Sequence, residues 1–369
     1  MKKIFFVMLA SWAISCMAVV PGGADTVITE HLQYAIDSVS QLPGGGTVEL
    51  SPGVYCVGSV ILKSNVNLHL DENALLLGST NPYDYHGYGN GEAMNQETNH
   101  FALIMASEAN NISITGKGTI DGRGLELALA IDSLHHIGER IDPNYNVRRM
   151  RPDLRPKLLE FDRVDSLTVE DVTLRASASW SFSMNKCRNV AIRDIDFNNR
   201  AYWNNDGIDM IDCHNVSVTG CNIDAADDGI CLKSSDPNDC NDNILIANNS
   251  IASSASAIKM GTGSFGGFRN VTIRNNKVRD TFRSAIAIES VDGAVIENIV
   301  VDSLEAVNTG NAFFIRLGHR HGDKPGSIRN VSISNVSCEV PFGRPDAEYD
   351  IRGPEINTIH NPFPASITA

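Results

Sequence analysis

The chain has 369 residues, of which 20% are charged and 42% hydrophobic, a composition that argues against an intrinsically disordered protein. Its formal net charge of −14 argues against nucleic-acid binding, because phosphate contacts need clustered lysine and arginine. An anionic sugar is not excluded, since a local basic groove can override the overall field.

The N-terminal segment has the pattern of an export signal. Met1-Lys2-Lys3 is basic, and the apolar run that follows is too short to span a bilayer comfortably. We therefore predict a signal peptide over residues 1–22 and a secreted, periplasmic or cell-surface protein. The alternatives are a lipoprotein anchored at Cys16, where the sequence loosely resembles a lipobox, and a buried first helix. No other segment is apolar enough to cross a membrane.

A short amphipathic helix is predicted next. From residue 29 to residue 42, apolar residues recur at helical spacing, at Leu32, Ala35, Ile36 and Val39. Thr29 is the predicted N-cap. Such a helix would cover the open edge of the first coil of a solenoid. No comparable cap follows the last repeat, so the domain predicted over residues 23–369 is either C-terminally incomplete or closed by a loop.

One strand pattern, an Asn or Ser followed by alternating apolar and polar residues, recurs along the chain. It starts at Asn111, Ser166, Asn189, Asn215, Asn243, Asn270 and Asn330. Between Ser166 and Asn270 the steps are 23, 26, 28 and 27 residues, and the last gap of 60 residues fits two coils. Apolar side chains of this pattern would fill an interior, and each Asn could bond the coils above and below it.

A second strand pattern runs out of phase with the first. It starts at Ile208, Ile230, Ile258, Ile286 and Phe314. Two short strands per period, each with alternating polarity, predict a solenoid whose coils stack about 4.8 Å apart. We therefore predict an all-β fold, a single-stranded right-handed parallel β-helix with a short N-terminal capping helix. A β-propeller or a sandwich is the alternative.

The segment from residue 122 to residue 156 interrupts the repeat. It is rich in basic residues, namely His135, His136, Arg148, Arg149, Arg151 and Arg155. Long insertions in solenoids form loops on one face, often the binding face. The segment could therefore hold carboxylates of a ligand, or it could be a solvated surface loop.

The cysteines do not predict a metal site. Of eight in the chain, seven remain without Cys16, and no paired CxxC motif is present. Cys187 and Cys213 each precede the Asn of a repeat by two residues. We expect buried or stacked thiols there, with a disulfide allowed but not required, and we predict neither a metal nor a cofactor.

Aspartates cluster at the second strand pattern. Asp206 and Asp228 are 22 residues apart, the same step that separates Ile208 from Ile230, so they should stack on adjacent coils with Asp227 beside them. Three carboxylates this close repel one another, and at least one should retain its proton. Acid–base cleavage of a glycosidic bond needs this arrangement. The alternative is that these Asp-Gly pairs are only turn residues.

Cations follow the acids along the same face. We align Ile315 with Ile286, which places Arg316 over Ala287 and Lys259. Lys259 and Arg316 are predicted to bind a substrate carboxylate through charge-assisted hydrogen bonds. We add Asn205 and Asp209 to the predicted substrate-binding residues. Solvated or acid-paired side chains are the alternative for the two cations.

At these residues the sequence resembles glycoside hydrolase family 28, the polygalacturonases and rhamnogalacturonases. The resemblance runs from about Thr26 to the end of the chain. It rests on GKGTIDGRG at residues 116–124, on NNDGID around Asp206, and on ADDGICLKS around Asp227 and Asp228. It implies a pectin-lyase-like β-helix and an inverting hydrolase of galacturonide-type pectic substrates. In that family Asp227 would be the general acid, and Asp206 and Asp228 would position the water.

Two motifs of the polygalacturonases are missing. Where they carry GHG, this chain has Ala255-Ser256-Ala257, and where they carry RIK it has Ala287-Ile288-Glu289. Exo-action or another pectic linkage is therefore open. Two other functions remain alternatives, a Ca²⁺-dependent pectate-lyase-like eliminase and a non-catalytic carbohydrate-binding solenoid. We expect a monomer that acts on pectic polysaccharide or oligosaccharide.

Overall fold

The structure, a computed structural model, describes residues 17–19, 23–87, 100–141, 154–321, 324–343, 345 and 367–368, with side chains from residue 27 onward. The helices within these ranges are α1 (Thr29–Ser40), α2 (Gly124–His136) and a 3₁₀ helix (Pro82–Asp84). Among the described residues no helix is both long and apolar enough to cross a bilayer.

The remaining elements are strands. The first fourteen are β1 (Met17–Val19), β2 (Gly23–Val27), β3 (Gly46–Leu50), β4 (Gly53–Val57), β5 (Val60–Ile61), β6 (Val66–Leu70), β7 (Ala74–Gly78), β8 (Ala102–Ser107), β9 (Asn110–Gly116), β10 (Thr119–Asp121), β11 (Lys157–Asp162), β12 (Asp165–Glu170), β13 (Thr173–Arg175) and β14 (Phe182–Asn185). The others are β15 (Arg188–Arg193), β16 (Asp196–Asn199), β17 (Ile208–Ile211), β18 (His214–Thr219), β19 (Asn222–Ala225), β20 (Ile230–Ser234), β21 (Asn241–Ala247), β22 (Ser250–Ser253), β23 (Ile258–Ser264), β24 (Gly267–Ser290), β25 (Val295–Leu317), β26 (Ser327–Cys338) and β27 (Ile367–Thr368).

The strands form a parallel β-helix with three ladders. Strands β3, β6, β9, β12, β15, β18 and β21 form the first ladder, and every pairing in it is parallel. Strands β4, β7, β10, β13, β16, β19 and β22 form the second ladder. Strands β5, β8, β11, β14, β17, β20 and β23 form the third ladder. Each long strand from β24 onward turns the corners of the coil and contributes to more than one ladder.

The two strand patterns found in the sequence correspond to the first and third ladders. The second ladder was missed, so the prediction of two strands per coil is wrong and the structure has three. Its strands are short, as in Thr173–Arg175 and Asp196–Asn199, and three or four residues are too few for an alternating pattern to stand out. Alternating side chains of all three ladders point inward and form one continuous apolar core.

The repeated asparagines form a hydrogen-bonded ladder at one corner of the coil. The Nδ2 of Asn215 donates to Oδ1 of Asn189 at 3.1 Å, and the Nδ2 of Asn243 donates to Oδ1 of Asn215 at 2.9 Å. Asn298, in the gap of 60 residues, continues the ladder by donating to Asn270 at 3.0 Å. These residues have positive φ angles, 57° at Asn215, which asparagine tolerates better than most residues do. The predicted role of the repeated Asn is confirmed.

We expect Asn215→Ala to lower the free energy of unfolding by about 1 to 3 kcal/mol, from two lost hydrogen bonds and a left-handed backbone that alanine disfavours. Asn215→Gly keeps the backbone freedom and loses only the amide, so it should be less destabilising than Asn215→Ala. Urea unfolding of both variants measures the difference. Equal or inverted losses would contradict a conformational role for Asn215.

Helix α1 lies where the sequence predicted the cap. Its buried side chains are Leu32, Ala35, Ile36 and Val39, as expected from their spacing. Thr29 is not the N-cap. That position is Ile28, and the Oγ1 of Thr29 instead accepts a hydrogen bond from the backbone N–H of Gly58 at 2.7 Å. The helix is therefore tied to the second coil through a side chain rather than capped by it.

The basic insertion is partly helical. Helix α2 occupies its first part, whereas Arg148, Arg149 and Arg151 lie outside the described residues. Arg155 is fully buried and donates hydrogen bonds to the backbone carbonyls of Ala178 and Trp203. Its guanidinium thus joins neighbouring turns of the coil instead of facing a ligand.

The described cysteines carry free thiols, and Cys187 and Cys213 are fully buried, as expected. The predicted signal peptide falls mostly on residues 1–16 and 20–22, which lie outside the described residues. Its last part, Met17–Val19, forms β1 beside Thr47–Glu49. The limits predicted for the domain and its C-terminal end remain predictions.

Candidate active site

Three aspartates meet in the turns that enter the third ladder. Ile208 pairs with Ile230, so Asp206 stacks beside Asp228, and the N–H of Gly207 donates to the carbonyl of Asp228 at 2.9 Å. The N–H of Asp227 donates to the carbonyl of Asn205 at 3.2 Å. One carboxylate oxygen from each of the three aspartates lies within 4.8 Å of the others. The stacking predicted from the 22-residue step is confirmed.

Glycines allow the coils to approach this closely. A Cβ on Gly229 would lie 2.6 Å from the carbonyl oxygen of Ala257 and from a side-chain carbon of Ile251. A Cβ on Gly207 would lie 2.4 Å from the carbonyl oxygen of Gly229. The Gly after each acid is therefore required by packing between coils, beyond any preference of Asp-Gly for turns.

Asn205 fixes the turn that carries Asp206. Its Oδ1 accepts hydrogen bonds from the N–H groups of Ala201 and Tyr202 at 2.8 and 2.6 Å. Its Nδ2 donates to the carbonyls of Ser177 and Ser179 at 2.9 and 2.8 Å. The side chain, predicted to bind substrate, is fully buried and has both ends of its amide engaged by backbone. In this structure it positions the turn.

Asp228 is held as a carboxylate. Its Oδ2 accepts from Nζ of Lys259 at 2.9 Å, and its Oδ1 accepts from the N–H of Ser256 at 3.1 Å. Burial by itself would raise the pKa of Asp228, but the charges of Lys259, Lys233 and Arg283 outweigh burial and lower it. Lys259 is therefore paired with an acid, the alternative considered for it from the sequence.

Asp206 and Asp227 retain protons more readily. Burial, followed by repulsion from Asp209 and Asp227, raises the pKa of Asp206 well above its ordinary value. Burial, followed by repulsion from Asp228, raises the pKa of Asp227. Asp227 is the most accessible of the three aspartates, whereas Asp206 and Asp228 are each 3% exposed. The Oδ1 atom of Asp206 is buried and has no hydrogen-bond partner among the described residues.

Lys233 links the acids to Asp209. Its Nζ donates to Oδ1 of Asp209 at 2.6 Å and lies 3.7 Å from Oδ2 of Asp206. It also lies over the ring of Trp180, 4.6 Å from the centroid. Burial raises the pKa of Asp209 to about 6, although Lys233 opposes the shift. Asp209, predicted to bind substrate, is fully buried against Lys233.

Arg316 lies elsewhere than the sequence alignment placed it. Ile286 pairs with Phe313, and Arg316 pairs with Glu289 rather than with Ala287. Its guanidinium is 3.8 Å from Oε2 of Glu289, and 55% of its side chain is exposed. A register shift between Thr281 and Ser284 shortens this coil by one residue and causes the difference.

Sequence reasoning did not select two cations of the site. Lys233 is three residues after Ile230, and its contact with Asp209 depends on a side chain that reaches across one coil. Arg283 is three residues before Ile286, the same offset that separates Asp227 from Ile230. That offset was the available signal for Arg283.

Three carboxylates at this spacing could also receive a divalent cation. Two ammonium groups already lie at these carboxylates, from Lys259 at 2.9 Å and from Lys233 at 3.7 Å. A bound Ca²⁺ would meet both fixed positive charges, so the residues present do not favour a Ca²⁺ site.

Comparison with known proteins agrees with the fold and the site. The exo-poly-α-D-galacturonosidase of Dickeya chrysanthemi is 24% identical over 294 residues, which cover 70% of this chain and 48% of that protein. An exopolygalacturonase of Zea mays is 27% identical over 216 residues, covering 57% of this chain and 46% of that protein. The chain thus spans about half the length of these curated relatives.

Two solved structures share the architecture. An exopolygalacturonase from Thermotoga maritima superposes with a TM-score of 0.71 at 24% identity, covering 87% of this chain and 80% of that one. A polygalacturonase from Erwinia carotovora ssp. carotovora gives 0.71 at 18% identity, covering 90% and 95%. The predicted right-handed parallel β-helix is confirmed.

The profile described as Glycosyl hydrolases family 28 matches residues 70–339, a shorter range than the resemblance read from the sequence. This range contains the three aspartates, both lysines and most of the coils. The chain belongs to glycosyl hydrolase family 28.

Proposed function

We propose that this protein hydrolyses glycosidic bonds in a galacturonide-type pectic substrate. The observation that carries the proposal is the cluster of Asp206, Asp227 and Asp228, in which the pKa of one acid is lowered and those of two are raised. Pairs of acids whose environments separate their pKa values supply the acid and the base of glycoside cleavage. The names of the relatives, galacturonosidase and polygalacturonase, support the substrate class.

Each acid has a proposed role. Asp227, the most accessible of the three and with a raised pKa, donates a proton to the leaving glycosidic oxygen. Asp228, held ionised by Lys259, accepts the proton of the attacking water. Asp206 offers its unpartnered Oδ1 to orient that water. Lys233 and Asn205 hold these acids in place and do not touch the reacting atoms.

We propose inversion at the anomeric carbon. The separation of at most 4.8 Å between the nearest oxygens is shorter than that of most inverting pairs, about 6.5–9.5 Å. However, both oxygens of Asp228 already accept hydrogen bonds, from Lys259 and Ser256. A carboxylate paired in this way is a weak nucleophile toward carbon and still a competent proton acceptor for water. NMR of the first anomer released decides between inversion and retention.

The test of this function is sugar release from polygalacturonate, short oligogalacturonides and rhamnogalacturonan, with products resolved by size. We expect saturated products, and monomer as the first product would assign exo-action. Unsaturated products that require Ca²⁺ would instead indicate an eliminase. Binding of a pectic substrate without turnover would indicate a carbohydrate-binding solenoid, and both results would contradict the proposal.

We also propose that the protein acts outside the cytoplasm, as a secreted, periplasmic or cell-surface monomer. The basic start and apolar run of residues 1–22 support export, and a polymeric substrate would be met outside the cell. Mass spectrometry of the protein recovered from the expressing cell's envelope and medium tests the proposal. An uncleaved N-terminus in the cytoplasm would contradict it.

A further inference from the structure

Arg283 belongs to the same column of residues as the proposed general acid. Ile230, Ile258 and Ile286 are paired on successive coils, and the residues three positions before them are Asp227, Ala255 and Arg283. The N–H of Arg283 donates to the carbonyl of Ala255 at 2.8 Å. Arg283 therefore stands two coils beyond Asp227, a distance of about 9.6 Å at the usual spacing between strands.

The residue between them leaves the way open. Ala255 has only a methyl group, so the long side chain of Arg283 can extend over it toward the acids. The charge of Arg283 lowers the pKa of Asp227, of Asp228 and of Glu289. Its guanidinium consequently lies on the side of the site where the acids face the later coils.

The guanidinium is not used by the protein itself. The Nε atom of Arg283 is buried and has no hydrogen-bond partner among the described residues. No described carboxylate lies within ion-pair distance of the group. A buried guanidinium donor left unmade is costly, which is the property expected of a group that waits for an anionic ligand.

The other cations of the site are already engaged. Lys233 is bound to Asp209 at 2.6 Å, Lys259 to Asp228 at 2.9 Å, and Arg316 lies 3.8 Å from Glu289. A substrate carboxylate that approached any of these three would have to displace a protein carboxylate. Arg283 offers the same charge without such competition.

We propose that Arg283 is a specificity-determining residue that binds the carboxylate of a uronic-acid unit lying over Ala255, next to the bond that is cleaved. The planar guanidinium matches a carboxylate with two parallel hydrogen bonds and does not match a neutral hydroxymethyl group. The proposal rests on the proposed function for the position of the scissile bond. It assigns uronate selectivity to this chain's own arginine, which lies four residues before Ala287, where RIK begins in the polygalacturonases.

The test compares trigalacturonate with its fully methyl-esterified form, which keeps the sugars and removes the charges. Binding is measured by calorimetry with Asp227→Asn protein, so that turnover does not interfere. We expect Arg283→Gln to weaken binding of trigalacturonate about 10- to 100-fold, as for a lost charge-assisted hydrogen bond, and to leave the ester within about twofold. Arg283→Lys should recover part of the loss, because it keeps the charge without the planar fork.

Two matched arginine variants serve as controls. Arg279 is on the same strand and lies against Asp280 and Asn222, away from the acids, so Arg279→Gln should not change either affinity. Arg316→Gln should have less than a threefold effect. Thermal melting of each variant verifies that it is folded.

Several results would overturn the proposal. These are equal weakening of acid and ester by Arg283→Gln, no weakening at all, no binding of trigalacturonate by the parent protein, or a selective loss in Arg316→Gln instead. Because the readout is binding, failure of the proposed function is recognised separately. In that case trigalacturonate would bind and depend on Arg283, while the unsubstituted protein would release no sugar.

Discussion

Asp227→Asn is expected to lower kcat for sugar release by about 100- to 10,000-fold, the contribution of a positioned general acid. The amide has nearly the shape of the carboxyl group but no acidic proton to give to the leaving oxygen. Asp227 is the acid assigned to this step because its pKa is raised by burial and by repulsion from Asp228, and because it is partly exposed. The measurement is kcat on the best substrate of the panel.

The matched control is Asp236→Asn. Asp236 forms an ion pair with Lys186 at 2.6 Å and lies in the loop after β20, beyond the cluster of acids. We expect kcat to stay within about twofold in this variant, because surface ion pairs contribute little. If Asp227→Asn retained more than a tenth of the activity, the assignment of the general acid would be wrong. Loss in Asp206→Asn alone would point to Asp206 instead.

Lys259→Met is expected to move the pH profile of kcat/KM to higher pH by about 1 to 3 units, the size of a lost opposite charge. The acid limb of the profile reports the ionisation of Asp228, whose pKa Lys259 lowers, so without the lysine that limb rises. Lys259 also lowers the pKa of Asp227, so the basic limb, where the general acid loses its proton, rises as well. Because the carboxylates interact, the two limbs report the group and not single residues.

The other charges around Asp228 limit the size of this shift. Lys233 and Arg283 also lower its pKa and remain in the variant. Lys259→Arg keeps the charge and should keep the profile within about half a unit. A buried pair that loses one partner destabilises a protein by about 3–5 kcal/mol, so the Lys259→Met profile is measured below its melting temperature. An unchanged acid limb in Lys259→Met would show that Lys259 does not control the base.

Much of this protein follows from local sequence patterns. Alternating residues at a period near 28 determine two ladders of the β-helix, because each strand can bury only one of its faces in the core. The same period determines that Asp206 stacks beside Asp228, since adjacent coils keep their register from Ile208 to Ile230. The asparagine ladder and the buried face of α1 also follow from spacing alone.

The tertiary structure decided the electrostatic partners of the acids. Lys233 reaches Asp209 across one coil and Arg155 is consumed by backbone carbonyls, outcomes set by side-chain length and packing that no sequence interval specifies. One register shift after Thr281 moved Arg316 onto Glu289. Spacing predicts position as long as strands stay regular, whereas a single irregular residue, or one long flexible side chain, changes which charges meet.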